Sequence, residues 1–114
     1  MPRRCLILDL KDDPELIVRY REWHRPGGPP AAVIADIRKA GITDMEIYLS
    51  GDRLVMIMEL APSAPADTTS AASADPAVQA WEKLMDTFQK PVPWANPGDK
   101  WTPAERIFDL TEQP

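Results

Sequence analysis

Tyr20 and His24 lie four residues apart, and His24 is the only histidine in the 114-residue chain. If this stretch is helical, the phenol and the imidazole share one face, one turn apart. Histidine is the side chain whose ordinary pKa lies closest to neutrality, so the pair could bind and protonate a small neutral molecule. The structural alternative is that Tyr20 packs in the core while His24 is a solvated or capped histidine near a helix end.

The charge balance of the chain narrows the classes of partner. The formal net charge is -5, and no cluster of Lys or Arg forms a basic face. Nucleic acids and anionic membranes attract concentrated positive charge, so we expect neither as a partner. A neutral ligand fits this balance better.

The cysteine content and the apolar runs bear on the compartment. The first apolar run, residues 5–10, is short and interrupted by Asp9, so no export signal is predicted. No stretch approaches transmembrane length. The single cysteine, Cys5, cannot form an internal disulfide, which fits a reducing cytoplasm. No second Cys or His stands beside it, so neither a zinc site nor a Cys-His nucleophile is predicted.

The first half of the chain predicts a strand and a broken helix. Residues 4–10 have strand composition, and Asp12-Asp13-Pro14 is a typical helix start, with an Asp as N-cap and proline in the first turn. The proline- and glycine-rich residues 26–30 interrupt this helix. A second helical stretch ends at residues 40–41. The apolar residues at helical spacing in the two stretches are Leu16, Ile17, Tyr20, Trp23, Val33, Ile34 and Ile37.

The second half predicts a hairpin, a helix and a last strand. Residues 45–49 and 53–60 read as strands joined by a turn at 50–52, and 61–74 as a surface loop. A helix starts at Asp75, residues 91–103 form a proline- and tryptophan-rich excursion, and 105–110 are the last strand. The apolar stripe of that helix is Val78, Trp81, Leu84, Met85 and Phe88.

This element order is that of a split βαβ, ferredoxin-like α+β fold, with a four-stranded antiparallel sheet and helices on one face. We expect a single domain over residues 1–114. Residues 54–60 are apolar on both faces of their strand, so the second face of the sheet is expected to be covered as well. A homodimer of the dimeric α/β barrel type would cover it, with Glu46 and Tyr48 on the dimer surface.

Several motifs together resemble the L-rhamnose mutarotase family, small enzymes that interconvert the anomers of 6-deoxy-hexoses. The resemblance runs from residue 4 to residue 110 in order and spacing. Its fixed points are Tyr20 and His24, Gly41, and the runs 46–49, 56–59, 78–81 and 106–110. The runs 5–13, 44–48, 56–59, 81–82 and 98–101 look like a branch of the family associated with L-fucose.

The resemblance implies a role for each candidate site residue. His24 would be the proton donor, acting as general acid and base in opening the sugar ring, and Tyr20 would bind the sugar. Trp81 would stack on an apolar sugar face, Glu82 would accept hydroxyl hydrogen bonds, and Met45 stands where rhamnose-type members carry a sugar-contacting tyrosine. A monosaccharide is the implied substrate, and the reaction needs no metal and no cofactor.

Two departures from the family pattern matter. Residues 26–30, Pro-Gly-Gly-Pro-Pro, replace an Ile-Trp-Pro-Glu run that usually follows the catalytic histidine. This puts the helix geometry beside His24, and with it activity, in question. Met45 stands in place of a tyrosine and Glu82 in place of a second tryptophan. These differences change which sugar hydroxyl groups the site can recognise. L-fucose is therefore favoured as substrate over L-rhamnose.

Other interpretations of these residues stay open. Trp81 fits simple core packing equally well, Glu82 fits a solvated helix face, and Trp94 and Trp101 could cap a pocket or only anchor their loop. Ferredoxin-like dimers also host ligand-sensing proteins and cofactor-free oxygenases. A non-catalytic small-ligand-binding protein is the main alternative, because an oxygenase would need a more hydrophobic pocket than Tyr20, His24 and Glu82 suggest.

Overall fold

A computed structural model describes residues 3–62 and 75–114. Most of the predicted loop 61–74 therefore lies outside the described residues. The elements are β1 (Arg3–Leu10), α1 (Pro14–Trp23), α2 (Ala31–Lys39), β2 (Ile42–Ser50), β3 (Arg53–Leu60), α3 (Pro76–Asp86), β4 (Gln89–Lys90) and β5 (Thr102–Pro103), followed by a 3₁₀ turn at Leu110–Glu112. None of the helices in these two stretches is long and apolar enough to cross a membrane.

The sheet is antiparallel, in the order β2-β3-β1-β4, with β5 also paired to β1. The α+β class and the antiparallel sheet are thus as predicted. β2 and β3 form the predicted hairpin, with Ser50 opposite Arg53 across a two-residue turn. β2 is longer than expected because pairing with β3 extends back to Ile42, opposite Leu60.

The predicted last strand at residues 105–110 is wrong. The fourth position of the sheet is filled by two short segments, β4 and β5, with the excursion 91–101 between them. Pro103 pairs with Leu6 and the Ala104 N–H donates to the Cys5 carbonyl, so Arg106 would already face Arg3 at the start of β1. Residues beyond Arg106 therefore run past the described part of β1 and have no strand to pair with.

The core lies between the sheet and the three helices. Strand side chains alternate, so every second residue of β1 and β3 points toward the helices. The most deeply buried of these are Leu6, Leu8, Leu10, Leu54 and Met58. Tyr20, Val33, Val78, Trp81, Met85 and Phe88 cover them from the helices and the chain just after α3.

The opposite face of the sheet, here called the open face, carries half-buried and exposed side chains. Val55 and Ile57 of β3 lie on it, as do the exposed Glu46 and Tyr48 of β2. Asp9 on this face is buried and accepts two hydrogen bonds from the Arg53 guanidinium at 2.8 and 3.2 Å. The alternation predicted for β2, which separates Glu46 and Tyr48 from Met45, is confirmed.

Candidate functional site

A cavity of about 590 Å³ lies between the helix-facing side of the sheet, the three helices and the segment 98–101. This size is within the usual range of small-molecule sites. All five predicted site residues line it: Tyr20, His24, Met45, Trp81 and Glu82. The fold thus brings them together around one cavity, although they come from α1 and its C-cap, from β2 and from α3.

Helix α1 and its C-cap position Tyr20 and His24 at the cavity wall. Its start is fixed by the Asp13 side chain, which accepts hydrogen bonds from the N–H groups of Glu15 and Leu16, with Pro14 in the first turn. The helix ends at Trp23, and His24 is the C-cap residue. The structural alternative is therefore partly correct, since Tyr20 is in the core and His24 lies at the end of the helix. Both residues nevertheless line the cavity.

The tautomer of His24 is set by the backbone. Its Nδ1 lies 2.7 Å from the Tyr20 carbonyl oxygen. A carbonyl can only accept, so Nδ1 carries the hydrogen and Nε2 presents its lone pair. Burial lowers the pKa of His24 below its ordinary value, although the hydrogen bond to Tyr20 opposes this effect. The imidazole is thus neutral at neutral pH, with a basic nitrogen available.

Tyr20 is held by a buried amide. The Gln89 Nε2 donates to the Tyr20 hydroxyl oxygen at 3.0 Å, which leaves the phenolic hydrogen for another acceptor. Burial raises the pKa of Tyr20 to about 12; the Gln89 hydrogen bond lowers it and the Glu82 carboxylate raises it. Tyr20 therefore stays protonated and can donate. The rings of Tyr20 and His24 are adjacent, with centroids 4.2 Å apart.

Trp81 serves the core and the cavity at once. It is buried in the core cluster, yet its ring lies 5.5 Å from that of His24, and it is part of the cavity wall. The two interpretations of Trp81 are not exclusive. Of the two tryptophans in the excursion, Trp101 lines the cavity, whereas Trp94 lies over the Arg53 guanidinium, 4.9 Å from it.

The connection between α1 and α2 closes tightly beside His24. The Gly28 N–H donates to the Arg25 carbonyl at 2.7 Å. A Cβ at Gly28 would lie 2.3 Å from the Trp23 carbonyl oxygen, so only glycine fits there. Pro29 of the same connection lines the cavity. The Pro-Gly-Gly-Pro-Pro run, which departs from the family pattern, thus contributes one residue, Pro29, to the wall of the cavity that His24 also lines.

Sequence reasoning missed four polar residues of the cavity wall, namely Asp36, Gln89, Asp99 and Lys100. Gln89 follows the apolar stripe of α3 directly, and a polar residue at that place was the available signal. The cavity lining holds three carboxylates, Asp36, Glu82 and Asp99, and one ammonium, Lys100, so the wall favours hydrogen-bonding neutral ligands over anions. In the described ranges no three His, Cys, Asp or Glu side chains come together as a metal site would require.

Comparisons with known proteins identify the family of the chain. The family model described as L-rhamnose mutarotase matches residues 3–110. An L-fucose mutarotase of Xanthomonas campestris pv. campestris is 48% identical over 113 residues, covering 98% of this chain and 90% of that protein. A protein of Dictyostelium discoideum named as a UPF0734 protein is 30% identical over 112 residues, covering 90% of this chain and 85% of that protein.

The fold has a solved counterpart. The crystal structure of an L-rhamnose mutarotase from Formosa agariphila superposes with a TM-score of 0.62 at 12% identity. The match covers 96% of this chain and 99% of that one. At this identity the likeness shows the fold alone, while the family model and the Xanthomonas relative extend over nearly the whole sequence. The chain therefore belongs to the L-rhamnose mutarotase family, a family of carbohydrate isomerases.

Proposed function

We propose that this protein is a mutarotase that interconverts the α and β anomers of a 6-deoxy-hexose, with L-fucose preferred over L-rhamnose. The observation that carries the proposal is the meeting of Tyr20, His24, Trp81 and Glu82 around one cavity of about 590 Å³. The preference for L-fucose is supported by the 48% identity to a protein named L-fucose mutarotase. The carboxylates of the wall suit a neutral sugar better than a sugar phosphate.

His24 is proposed as the proton carrier. Its Nε2 takes the hydrogen of the anomeric hydroxyl while the bond between C1 and the ring oxygen breaks. The electron pair of that bond goes to the ring oxygen, and C1 becomes an aldehyde. The imidazolium then returns the proton to the ring oxygen, and rotation about the C1–C2 bond followed by the reverse steps gives the other anomer.

In this order of steps His24 acts first as a base. The resemblance to the family instead implied that His24 is the proton donor. The base role follows from the Nδ1 hydrogen bond to the Tyr20 carbonyl, which leaves Nε2 unprotonated. The Tyr20 hydroxyl, whose hydrogen is free of Gln89, would orient the sugar by donating to a sugar oxygen. The same imidazole acts as acid in the second half of each ring opening.

Exchange NMR between the α and β anomers of L-fucose and of L-rhamnose, with and without protein, tests the proposal. We expect faster exchange for both sugars, with the larger gain for L-fucose. A larger acceleration for L-rhamnose would contradict the proposed sugar preference but not the mutarotase function. Binding of either sugar without any acceleration of anomer exchange would contradict the mutarotase function and support the alternative, a non-catalytic ligand-binding protein.

We further propose a homodimer in which two open faces cover each other. Val55 and Ile57 are half-buried there, and the segment past β5 exposes Ile107, Phe108 and Leu110, which are 88%, 64% and 73% exposed. Apolar side chains of this size rarely stay exposed together in a monomer. Analytical ultracentrifugation should show a dimer that Tyr48→Asp, an exposed change on the open face, converts to a monomer, and a wild-type monomer would refute the pairing.

We also propose the cytoplasm as the compartment. Cys5 is a half-buried free thiol, and such a thiol persists where the surroundings are reducing. Fractionation of cells that express the protein with its native start would test this.

A further inference from the structure

Lys100 forms a two-carboxylate ion pair at the cavity wall. Its Nζ lies 2.9 Å from Glu82 Oε2 and 2.6 Å from Asp86 Oδ1. Both carboxylates belong to α3, one turn apart, so they would repel each other without a cation between them. Burial lowers the pKa of Lys100, but the hydrogen bonds to Asp86 and Glu82 outweigh it and the pKa is raised overall. Lys100 is therefore always charged at working pH.

The backbone around Lys100 is held on both sides. The Asp99 N–H donates to the Asn96 carbonyl at 3.0 Å, and Gly98 has a φ of 85°, a left-handed conformation that glycine adopts without strain. On the other side, Trp101 packs against the core and Thr102 pairs with Ile7 of β1. The ammonium is thus placed by the fold and does not reach its partners by chance.

The ion pair leaves one donor and one acceptor unused. An ammonium has three hydrogens, and two of them go to Glu82 and Asp86. The second carboxylate oxygen of Glu82, Oε1, has no hydrogen-bond partner among the residues that the structure describes. Lys100 and Glu82 both line the cavity, whereas Asp86 does not. The pair therefore offers a donor and an acceptor side by side, which matches a sugar hydroxyl that accepts and donates.

This pair lines the same cavity as His24 and Trp81; the Trp81 ring is 5.5 Å from that of His24, and Glu82 follows Trp81 on α3. A pyranose bound with its anomeric carbon at His24 has C4 at the opposite end of its ring. We propose that Lys100, together with Glu82, binds the C4 hydroxyl and determines the preference between C4 epimers. This rests on the proposed mutarotase function.

The test compares sugars that differ at one carbon. L-Fucose and 6-deoxy-L-glucose differ only at C4, and L-fucose and 6-deoxy-L-talose only at C2. Exchange NMR at several concentrations gives kcat and KM for each sugar with the wild type, Lys100→Met and Lys100→Arg. The exposed Lys11, changed to Met, is the control for loss of a positive charge.

We expect the wild type to prefer one C4 epimer, and Lys100→Met to reduce that preference about tenfold or more, mainly through KM. The C2 preference should change by less than about twofold, Lys100→Arg should keep part of the C4 preference, and Lys11→Met should change nothing. An unchanged C4 preference in folded Lys100→Met overturns the proposal, as does an equal fall of both preferences.

Two further outcomes are distinguishable. If Lys100→Met does not fold, Glu82→Gln, which keeps the shape of the side chain but weakens its bond to Lys100, should also lose C4 preference; a retained preference refutes the assignment. If the wild type accelerates no sugar, the mutarotase function itself fails and the role of Lys100 fails with it. A wild type that is active but does not distinguish the C4 epimers overturns the role of Lys100 alone.

Discussion

The Nδ1 hydrogen of His24 is bonded to the carbonyl oxygen of Tyr20, 2.7 Å away, one helical turn earlier in the chain. This carbonyl belongs to the last turn of α1, where the backbone acceptors lack a helical partner. The end of the helix thus satisfies its own acceptor and fixes the imidazole tautomer with the same bond. The tautomer of the candidate base is thus fixed by the end of α1, a helix that the sequence predicts.

Replacing His24 should abolish most of the rate acceleration. General acid-base help is worth about 10²- to 10⁴-fold, so His24→Gln should lower kcat by at least about a hundredfold. Exchange NMR on L-fucose measures the rate, and circular dichroism confirms the fold. Arg21→Gln, an exposed change on the same helix, is the control. A rate within about tenfold of the wild type would remove His24 from the mechanism.

Activity should fall in acid with a midpoint below the ordinary pKa of histidine. Burial lowers the pKa of His24, so the basic Nε2 is available down to pH values below 6.5 and is lost when the imidazole is protonated. The pH profile of kcat/KM for L-fucose checks this. A midpoint above 6.5 would show that the imidazolium is stabilised in the folded protein.

The same titration should affect stability. The unfolded chain binds a proton to His24 at a higher pH than the folded chain does. The free energy of unfolding should therefore decrease as the pH falls below 6.5 and level off below the lowered pKa. Urea unfolding of the wild type and of His24→Gln between pH 5 and 7 separates this contribution from that of the carboxylates. Identical pH dependence of the two proteins would contradict the prediction.

Tyr20→Phe should destabilise the protein by about 1–3 kcal/mol, because it leaves a buried amide without its acceptor. Gln89 Nε2 donates to the Tyr20 hydroxyl, while Gln89 Oε1 has no partner in the described part of the chain. A second change, Gln89→Met, removes the stranded amide and should recover part of the loss. A double-mutant cycle from urea unfolding measures the coupling. Strictly additive effects would mean that this hydrogen bond contributes nothing.

Gly28→Ala should impair both folding and catalysis. The new Cβ would meet the Trp23 carbonyl oxygen at 2.3 Å, so the backbone beside His24 must move, at about 1–3 kcal/mol. Gly27→Ala is the matched control, since a Cβ at Gly27 would meet no atom within 4 Å. The only cost of this change is the strain of an alanine at a φ of 82°, about 1–2 kcal/mol. Thermal unfolding gives the stability of both variants.

The kinetic readout separates the two glycines. We expect Gly27→Ala to keep the rate per folded molecule and Gly28→Ala to lower it, because only the second change displaces the residue next to His24. Equal rates in the two variants would show that the α1–α2 connection does not position the imidazole.

The sequence predicted correctly the structure of residues whose partners are near in the chain. It failed for segments whose structure depends on pairing or contact with a distant element. Asp13, Pro14 and the spacing of Tyr20 and His24 predicted α1 and the face that lines the cavity, because helix signals are local. Residues 105–110 have strand composition, but a strand needs a partner, and β1 has no described residues left opposite residues 107–110. Lys100 was missed because its role depends on α3, to which only the fold brings it.

The two-part edge strand has a consequence for how this enzyme can diverge. The excursion 91–101 leaves β1 at Lys90 and returns to it at Thr102, so both of its ends are clamped to the same strand. Substitutions at Asp99 and Lys100, within that excursion, alter one wall of the cavity at positions outside the core cluster that contains Tyr20. In the proposed function, substrate choice and proton transfer thus depend on different parts of the molecule. Exchanging this single segment between homologues is the simplest route to a new sugar preference.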